Sequence, residues 1–130
     1  MPEEVIIYQG ADAPFKLTIT DKNGTAIDLS VATKLGIFVY ETPAELLLAK
    51  YSKNSGSGWN TMDMTGAATG IIRFILPGSV TKLAKESKIE VELRAEIPDT
   101  NFENNKFKLV KSRDYLATIN KAIAKDLTLP

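Results

Sequence analysis

Apolar and polar positions alternate with a period of two along much of the chain, the pattern of strands with one buried face. The clearest stretch is Lys88 to Ile97. Ile89, Val91, Leu93, Ala95 and Ile97 share one face, and Glu90, Glu92, Arg94 and Glu96 share the other. This predicts a strand between core and water. Phe15, Leu17 and Ile19 alternate likewise with Lys16, Thr18 and Thr20. Leu35, Ile37 and Val39 fall on one face of Lys34 to Tyr40, and Ile72, Phe74 and Leu76 on one face of Thr69 to Leu76. Val5 to Tyr8, Glu45 to Tyr51 and Lys106 to Lys111 read as further strands, the last with Phe107 and Leu109 inward.

The segments between them carry turn chemistry. Asp21-Lys22-Asn23-Gly24 contains Asn-Gly, a strong hairpin signal, and Ala26 to Leu29 resumes as a short second strand. Thr42-Pro43 interrupts pairing, because proline donates nothing to a ladder. Ala44 to Tyr51 also admits a helical reading, but eight residues is short for one. Ser52 to Asn60 is a loop rich in Ser, Gly and Asn. Pro77 suits a helix start and predicts a short helix over Gly78 to Lys85, with Val80, Leu83 and Ala84 at helical spacing. Pro98 to Asn101 turns the chain, and Asn104-Asn105 marks the next strand start.

Asp114 to Lys125 fits two periods. Leu116, Ile119 and Ile123 are spaced for a helix; Tyr115, Ala117 and Ile119 fit a strand. The preferred reading is a strand through Asn120 and then a loose tail. About seven to nine short antiparallel strands, with one short helix between late strands, predict an all-β domain. The expected architecture is an immunoglobulin-like β-sandwich over residues 1–120, with a C-terminal tail at 121–130; a β-barrel is the alternative.

Composition narrows the chemistry. At 130 residues the chain is long enough for one real core. Lys plus Arg equals Asp plus Glu, 16 each, so the net positive charge of a typical nucleic-acid binder is missing. There is no cysteine and no histidine. Disulfides, thiolate sites and the commonest neutral-pH base are therefore excluded. The acidic start Met1-Pro2-Glu3-Glu4, followed by few apolar residues, does not read as a signal peptide. No run approaches the ~18 apolar residues of a membrane span. The expectation is a soluble protein made in the cytoplasm, with no cofactor, metal, small-molecule substrate, nucleic acid or membrane as partner.

Several motifs were weighed. Asp21 to Gly24 superficially suggests a calcium loop, but such a loop needs Gly at position six and Glu at twelve. Here Gly falls fourth and Ala32 twelfth, so a plain turn is the reading. Asn23-Gly24-Thr25 is formally a glycosylation acceptor, of no consequence without secretion. Gly56-Ser57-Gly58-Trp59 lacks the Gly-Lys-Ser/Thr half of a phosphate loop. Trp59 itself is either an interface anchor, as tryptophan often is, or a residue folded back onto the sandwich. With Tyr51 it would form a stacking platform for a glycan or peptide. Glu90, Glu92 and Glu96 beside Arg94 read as an ion-paired solvent face, not a glycosidase pair. Lys106, Lys108, Lys111 and Arg113, joined in sequence by Lys121 and Lys125, form a basic cluster. It is either a row of edge lysines that blocks unwanted pairing or a surface for an acidic partner. Trp59, Tyr51, Lys106, Lys108, Lys111 and Arg113 are the candidate protein-contact residues; none is a candidate catalyst.

One resemblance covers most of the chain. Gly10-Ala11-Asp12, the strand Phe15 to Asp21, the Asn23-Gly24 turn and Asp28-Leu29-Ser30 resemble the opening of immunoglobulin-like domains in tail or baseplate proteins of tailed phages and prophages. Ala32 to Val39 resembles the core strand that follows. Thr69 to Leu76, Pro77 to Leu83 and Ile89 to Ile97 are similar to the late strand–short helix–strand passage. The sequence departs where that family often has Pro-Gly-x-Tyr, with Glu86-Ser87-Lys88-Ile89 instead, and in the long Ser52 to Thr65 loop. The resemblance implies a non-enzymatic virion structural protein, a tail or baseplate module that docks on other tail proteins or on itself. It implies no catalytic residue. The alternative is a bacterial carbohydrate- or peptide-binding β-sandwich module.

Overall fold

The computed structural model describes residues 4–125 and 129–130. Met1 to Glu3 and residues 126–128, which belong to the expected leader and tail readings, lie outside the described residues. Among the described residues seven strands form: β1 (Ile6–Tyr8), β2 (Ala13–Thr18), β3 (Lys34–Thr42), β4 (Leu46–Ser52), β5 (Ile71–Leu76), β6 (Ser87–Pro98) and β7 (Lys106–Asn120), with a one-turn helix α1 (Gly78–Thr81) between β5 and β6. Five strands make one sheet in the order β1-β7-β6-β3-β4, and β2 pairs with β5 in a second. The molecule is an all-β, sandwich-like fold, with two sheets in place of a closed barrel.

Alternation places the core between the sheets. Leu35, Ile37 and Val39 of β3 and Ile89, Val91, Leu93 and Ala95 of β6 meet Ile72, Phe74 and Leu76 of β5 in one buried cluster. Phe74 touches Phe15 at a 5.5 Å ring separation and Tyr51 at 4.9 Å. The residues between them on β6 face outward, as their charge requires.

Four expectations change. First, the strands are not all antiparallel: β1 runs parallel to β7, with Ile6 opposite Thr118 and Tyr8 opposite Asn120. Second, Ala26 to Leu29 is not a strand. Only Thr20 and Ala26 bridge, because Ile27 N–H bonds the Ile19 carbonyl and Leu29 N–H bonds the Ala67 carbonyl, at 3.1 and 2.9 Å. The segment is drawn to the 3₁₀ turn at Ala67–Thr69, and β2 takes β5 as its partner instead.

Third, the helix, expected to run one to two turns as far as Lys85, takes the shorter length and ends at Thr81, with Pro77 as its cap. Thr81, not Leu83, holds the inward position, and Leu83 is 78 % exposed while Ala84 is buried. Fourth, Lys106 to Lys111 and the stretch through Asn120 are one strand, β7, continuous with bulged register against β6. The strand reading of Tyr115 to Asn120 holds. Asn104 and Asn105 precede β7 with φ of 55° and 58°, a conformation that asparagine tolerates better than most residues.

Three buried polar side chains pin the β5–β6 connection. Thr81 Oγ1 accepts from Gly10 N–H at 3.0 Å and donates to the Ala11 carbonyl at 2.8 Å. Gln9 Nε2 donates to the Ala84 carbonyl at 2.7 Å. Glu41 Oε1 accepts from Lys85 N–H at 3.0 Å. Each lies buried, and each has the partner that burial demands.

Candidate functional site: the outer face and edges of the large sheet

The outer face of the five-stranded sheet gathers most of the residues singled out from sequence. Register sets Phe38 beside Lys50 on β4 and beside Glu92 on β6. Trp59 returns from the 53–60 loop onto this face. Its ring meets Phe38 edge-on at 5.6 Å, and Lys50 Nζ lies 4.6 Å from its centre. The loop is held for this return: Ser52 N–H bonds the Asn60 carbonyl and Asn60 N–H bonds the Lys50 carbonyl, at 2.9 and 3.0 Å. Gly56 leaves room, since a Cβ there would lie 3.3 Å from the indole Cδ1. Trp59 thus folds back onto the sheet, half-buried.

Beside it runs a groove of about 560 Å³. Gly36 forms part of its lining and contributes no side chain; Phe38 and Trp59 line it together with Arg94, Glu96, Lys108 and Val110.

Tyr51 lies on the other side of the sheet. It pairs with Ile37, an inward residue, is 1 % exposed, and donates its hydroxyl proton to the Ile75 carbonyl at 2.6 Å. Burial pushes its pKa up to about 12. The expected platform of Trp59 with Tyr51 is therefore not formed. The sheet separates the two rings, and Tyr51 ties the large sheet to the small one. A second groove, about 790 Å³, reaches its ring between Phe15, Met62 and Arg73.

The basic cluster is divided by the pleat and by a bulge. Lys106, Lys108 and Val110 sit on the exposed side, opposite Pro98, Glu96 and Arg94 of β6. Lys111 pairs with Asp114 at 3.6 Å. Arg113, with φ 62°, bulges outward to reach Glu45 at 2.9 Å and Glu90 at 3.4 Å. The hydrogen bond that Arg113 donates to Glu45, the first cause, and the charge of Glu90 raise the guanidinium pKa. The cluster is no continuous positive patch: Lys111 and Arg113 are held in ion pairs, while Lys106 and Lys108 stay exposed beside the carboxylates of β6.

Those carboxylates form the ion-paired face that the alternation implied. Arg94 Nε bonds Glu92 at 2.9 Å, and Ser112 Oγ donates to Glu92 at 2.6 Å. The Ser112 bond first, then Arg94, hold Glu92 below its ordinary carboxylate pKa. Glu96 lies 3.7 Å from Lys34. At the Asp21 turn, one carboxylate oxygen accepts from Asn23 N–H and Thr25 N–H at 2.8 and 3.0 Å, which is turn chemistry, not a cation loop. Among the described residues no group of three or more His, Cys, Asp or Glu is placed to hold a metal. No helix among them is long and apolar enough to cross a membrane.

Of the sheet edges, the sequence suggested one, through the lysine row of β7, and carried no signal for the other. β1 covers β7 only over Thr118 to Asn120. Among the described residues, the backbone flank of β7 from Lys106 to Leu116 has no strand on the side away from β6. At the opposite edge, β4 exposes Leu46 and Leu47 by 55 % and 50 %.

Compared with protein families, curated proteins and solved structures, the chain matches none.

Proposed function

We propose that this chain is a non-enzymatic docking module, a structural component of a phage or prophage tail or baseplate. The observation that carries the docking reading is the open edges of the large sheet. The charges of the outer face largely satisfy one another, while unpaired backbone on β7 and exposed leucines on β4 leave bonding capacity at the rims. Sheet rims of this kind associate by strand addition and by apolar burial.

The tail assignment rests on the resemblance of Gly10 to Leu29 and of Thr69 to Ile97. An immunoglobulin-like topology is part of the proposal and has support in the strand order. β7-β6-β3-β4 corresponds to the strand order G-F-C-C′, and the β2–β5 pair to B–E. The inter-sheet disulfide of antibody domains has no counterpart, since cysteine is absent. Fold alone does not decide a role.

The test is sedimentation of the tagged chain expressed in its native host. Recovery in tail-containing particles supports the proposal; a chain that stays wholly in the soluble fraction while particles form overturns it. In the purified protein, light scattering with negative-stain imaging reads self-assembly directly.

The groove beside Trp59 favours a second reading, a carbohydrate- or peptide-binding module. Aromatic and charged side chains converge there, as ligand sites require. Because Trp59 is the single tryptophan, its fluorescence reports on the groove. Saturable quenching by a glycan would move the assignment to this class.

A further inference from the structure

The geometry points to the flank of β7 from Lys106 to Lys111 as a strand-addition site for a partner segment in which apolar and acidic residues alternate. This deepens the docking reading and rests on it. The stretch is bounded at both ends. Asn104 and Asn105, in left-handed conformation, turn the chain into it. At the far end Arg113, with φ 62°, and the nearby register shift make a bulge, a device that ends regular pairing. Between them a regular strand has β6 on one side and, among the described residues, no strand on the other.

The side chains state what the missing neighbour should carry. On the core side Phe107 and Leu109 are only half-buried, and Phe102, 46 % exposed, stacks on Phe107 at 4.9 Å. An added strand would extend the sheet and cover these rings with its own apolar residues. On the outer side stand Lys106, Lys108 and Val110, all exposed. Lys108 faces Glu96, whose carboxylate pairs with Lys34, and Lys106 faces Pro98. Carboxylates on an added strand would lie directly across from both lysines, where opposite charges are favourable. β6 already shows the pattern on the other flank: Glu90, Glu92 and Glu96 alternate with Ile89, Val91, Leu93 and Ala95.

A second copy fits this edge poorly. An antiparallel two-fold pairing centred on Lys108 sets it against its own copy, and like charges directly opposite are destabilising; one centred on Leu109 sets Lys108 against Val110 and Lys106 against Ser112, and offers neither lysine a carboxylate. The lysines therefore favour an acidic strand over a second copy of this edge.

The experiment uses the whole chain and two labelled synthetic peptides: residues 88–96 of this sequence, and the same peptide with its three glutamates changed to lysine. Anisotropy reads binding, and amide exchange reads its place. The glutamate peptide is expected to bind and to slow exchange at amides within 106–111, and the lysine peptide to bind at least tenfold more weakly. Lys106→Glu with Lys108→Glu should reverse that preference; Lys106→Gln with Lys108→Gln should abolish it while leaving the melting temperature unchanged. Binding of neither peptide, equal binding of both, or protection confined to β4 or to the Trp59 groove would overturn the proposal. So would a dimer of the chain alone with 106–111 protected, which would assign the edge to a second copy. Particle sedimentation reads the docking function independently of this edge, so each can fail alone.

Discussion

Tyr51 donates its hydroxyl proton to the Ile75 carbonyl from a buried position, and its chemistry predicts a pH dependence. Its folded pKa, about 12, stands above the ordinary 10.0. A raised pKa leaves stability intact below pH 10 and removes it as pH rises toward 12, by roughly 1.4 kcal/mol per unit of difference. Tyr51→Phe should cost about 1 kcal/mol at pH 7 through the lost hydrogen bond. It should then lose less than the parent above pH 10, so that denaturant melts of the two converge. Trp59 gives a second test at this scale. Its contact with Phe38 predicts a coupling of about 0.5–1.5 kcal/mol in a Trp59→Ala, Phe38→Ala double-mutant cycle; additive losses would remove the contact from the account. The burial of Tyr51 was poorly legible because tyrosine is amphipathic and the loop adjoining it suggested the surface. Only the partner carbonyl, 24 positions away, decides which end of the residue counts.

At the scale of elements, legibility followed solvent. β6 was readable because one face is wet, so charge alternates against apolar residues; β3 was readable from the spacing of Leu35, Ile37 and Val39, although Phe38 and Tyr40 occupy its outer face. β7 was ambiguous in its second half because its side chains suit either period, and pairing with β6 selects the strand. The segment after Asn23-Gly24 misled for a different reason: the turn forms as its chemistry dictates, but Leu29 takes its partner at Ala67. That crossing depends on Gly70. Its φ is 76°, and a Cβ would lie 2.4 Å from the Ile19 carbonyl oxygen and 3.1 Å from that of Ile27. Gly70→Ala should therefore cost at least about 2 kcal/mol, measured by urea unfolding. On the outer face, Ser112 holds the Glu92 carboxylate. Since the folded pKa is lowered, this bond contributes stability above the ordinary 4.5, which is lost as pH falls through the folded value. Ser112→Ala should raise the Glu92 pKa in a carboxylate NMR titration and narrow the acid loss.

For the whole molecule, the sheets are joined by polar clamps as well as by the apolar core. Thr81→Val keeps the volume but leaves the Gly10 N–H without its side-chain partner. A loss of about 1–3 kcal/mol is expected, with amide exchange accelerating at Gly10 before the core strands. The assembly of sheets was the part least present in sequence, because local patterns specify strands and not their neighbours. Nothing near Ile6 says that it will lie beside Thr118, and the apparent basic cluster splits only in the fold, where Lys111 and Arg113 find carboxylates while Lys106 and Lys108 stay exposed.

The parallel pairing of β1 with β7 also bears on how the protein is made. β1 leaves the ribosome before the other strands described, and its partner is the last of them. Contacts this distant along the chain form slowly and late. Synthesis at ~5–20 residues per second leaves β1 without its place for several seconds, and β6 exposed on the flank that β7 will take. During that interval the nascent chain is most open to mispairing. The charged outer row of β6 is then its protection, keeping an unfinished sheet soluble until its final strand arrives.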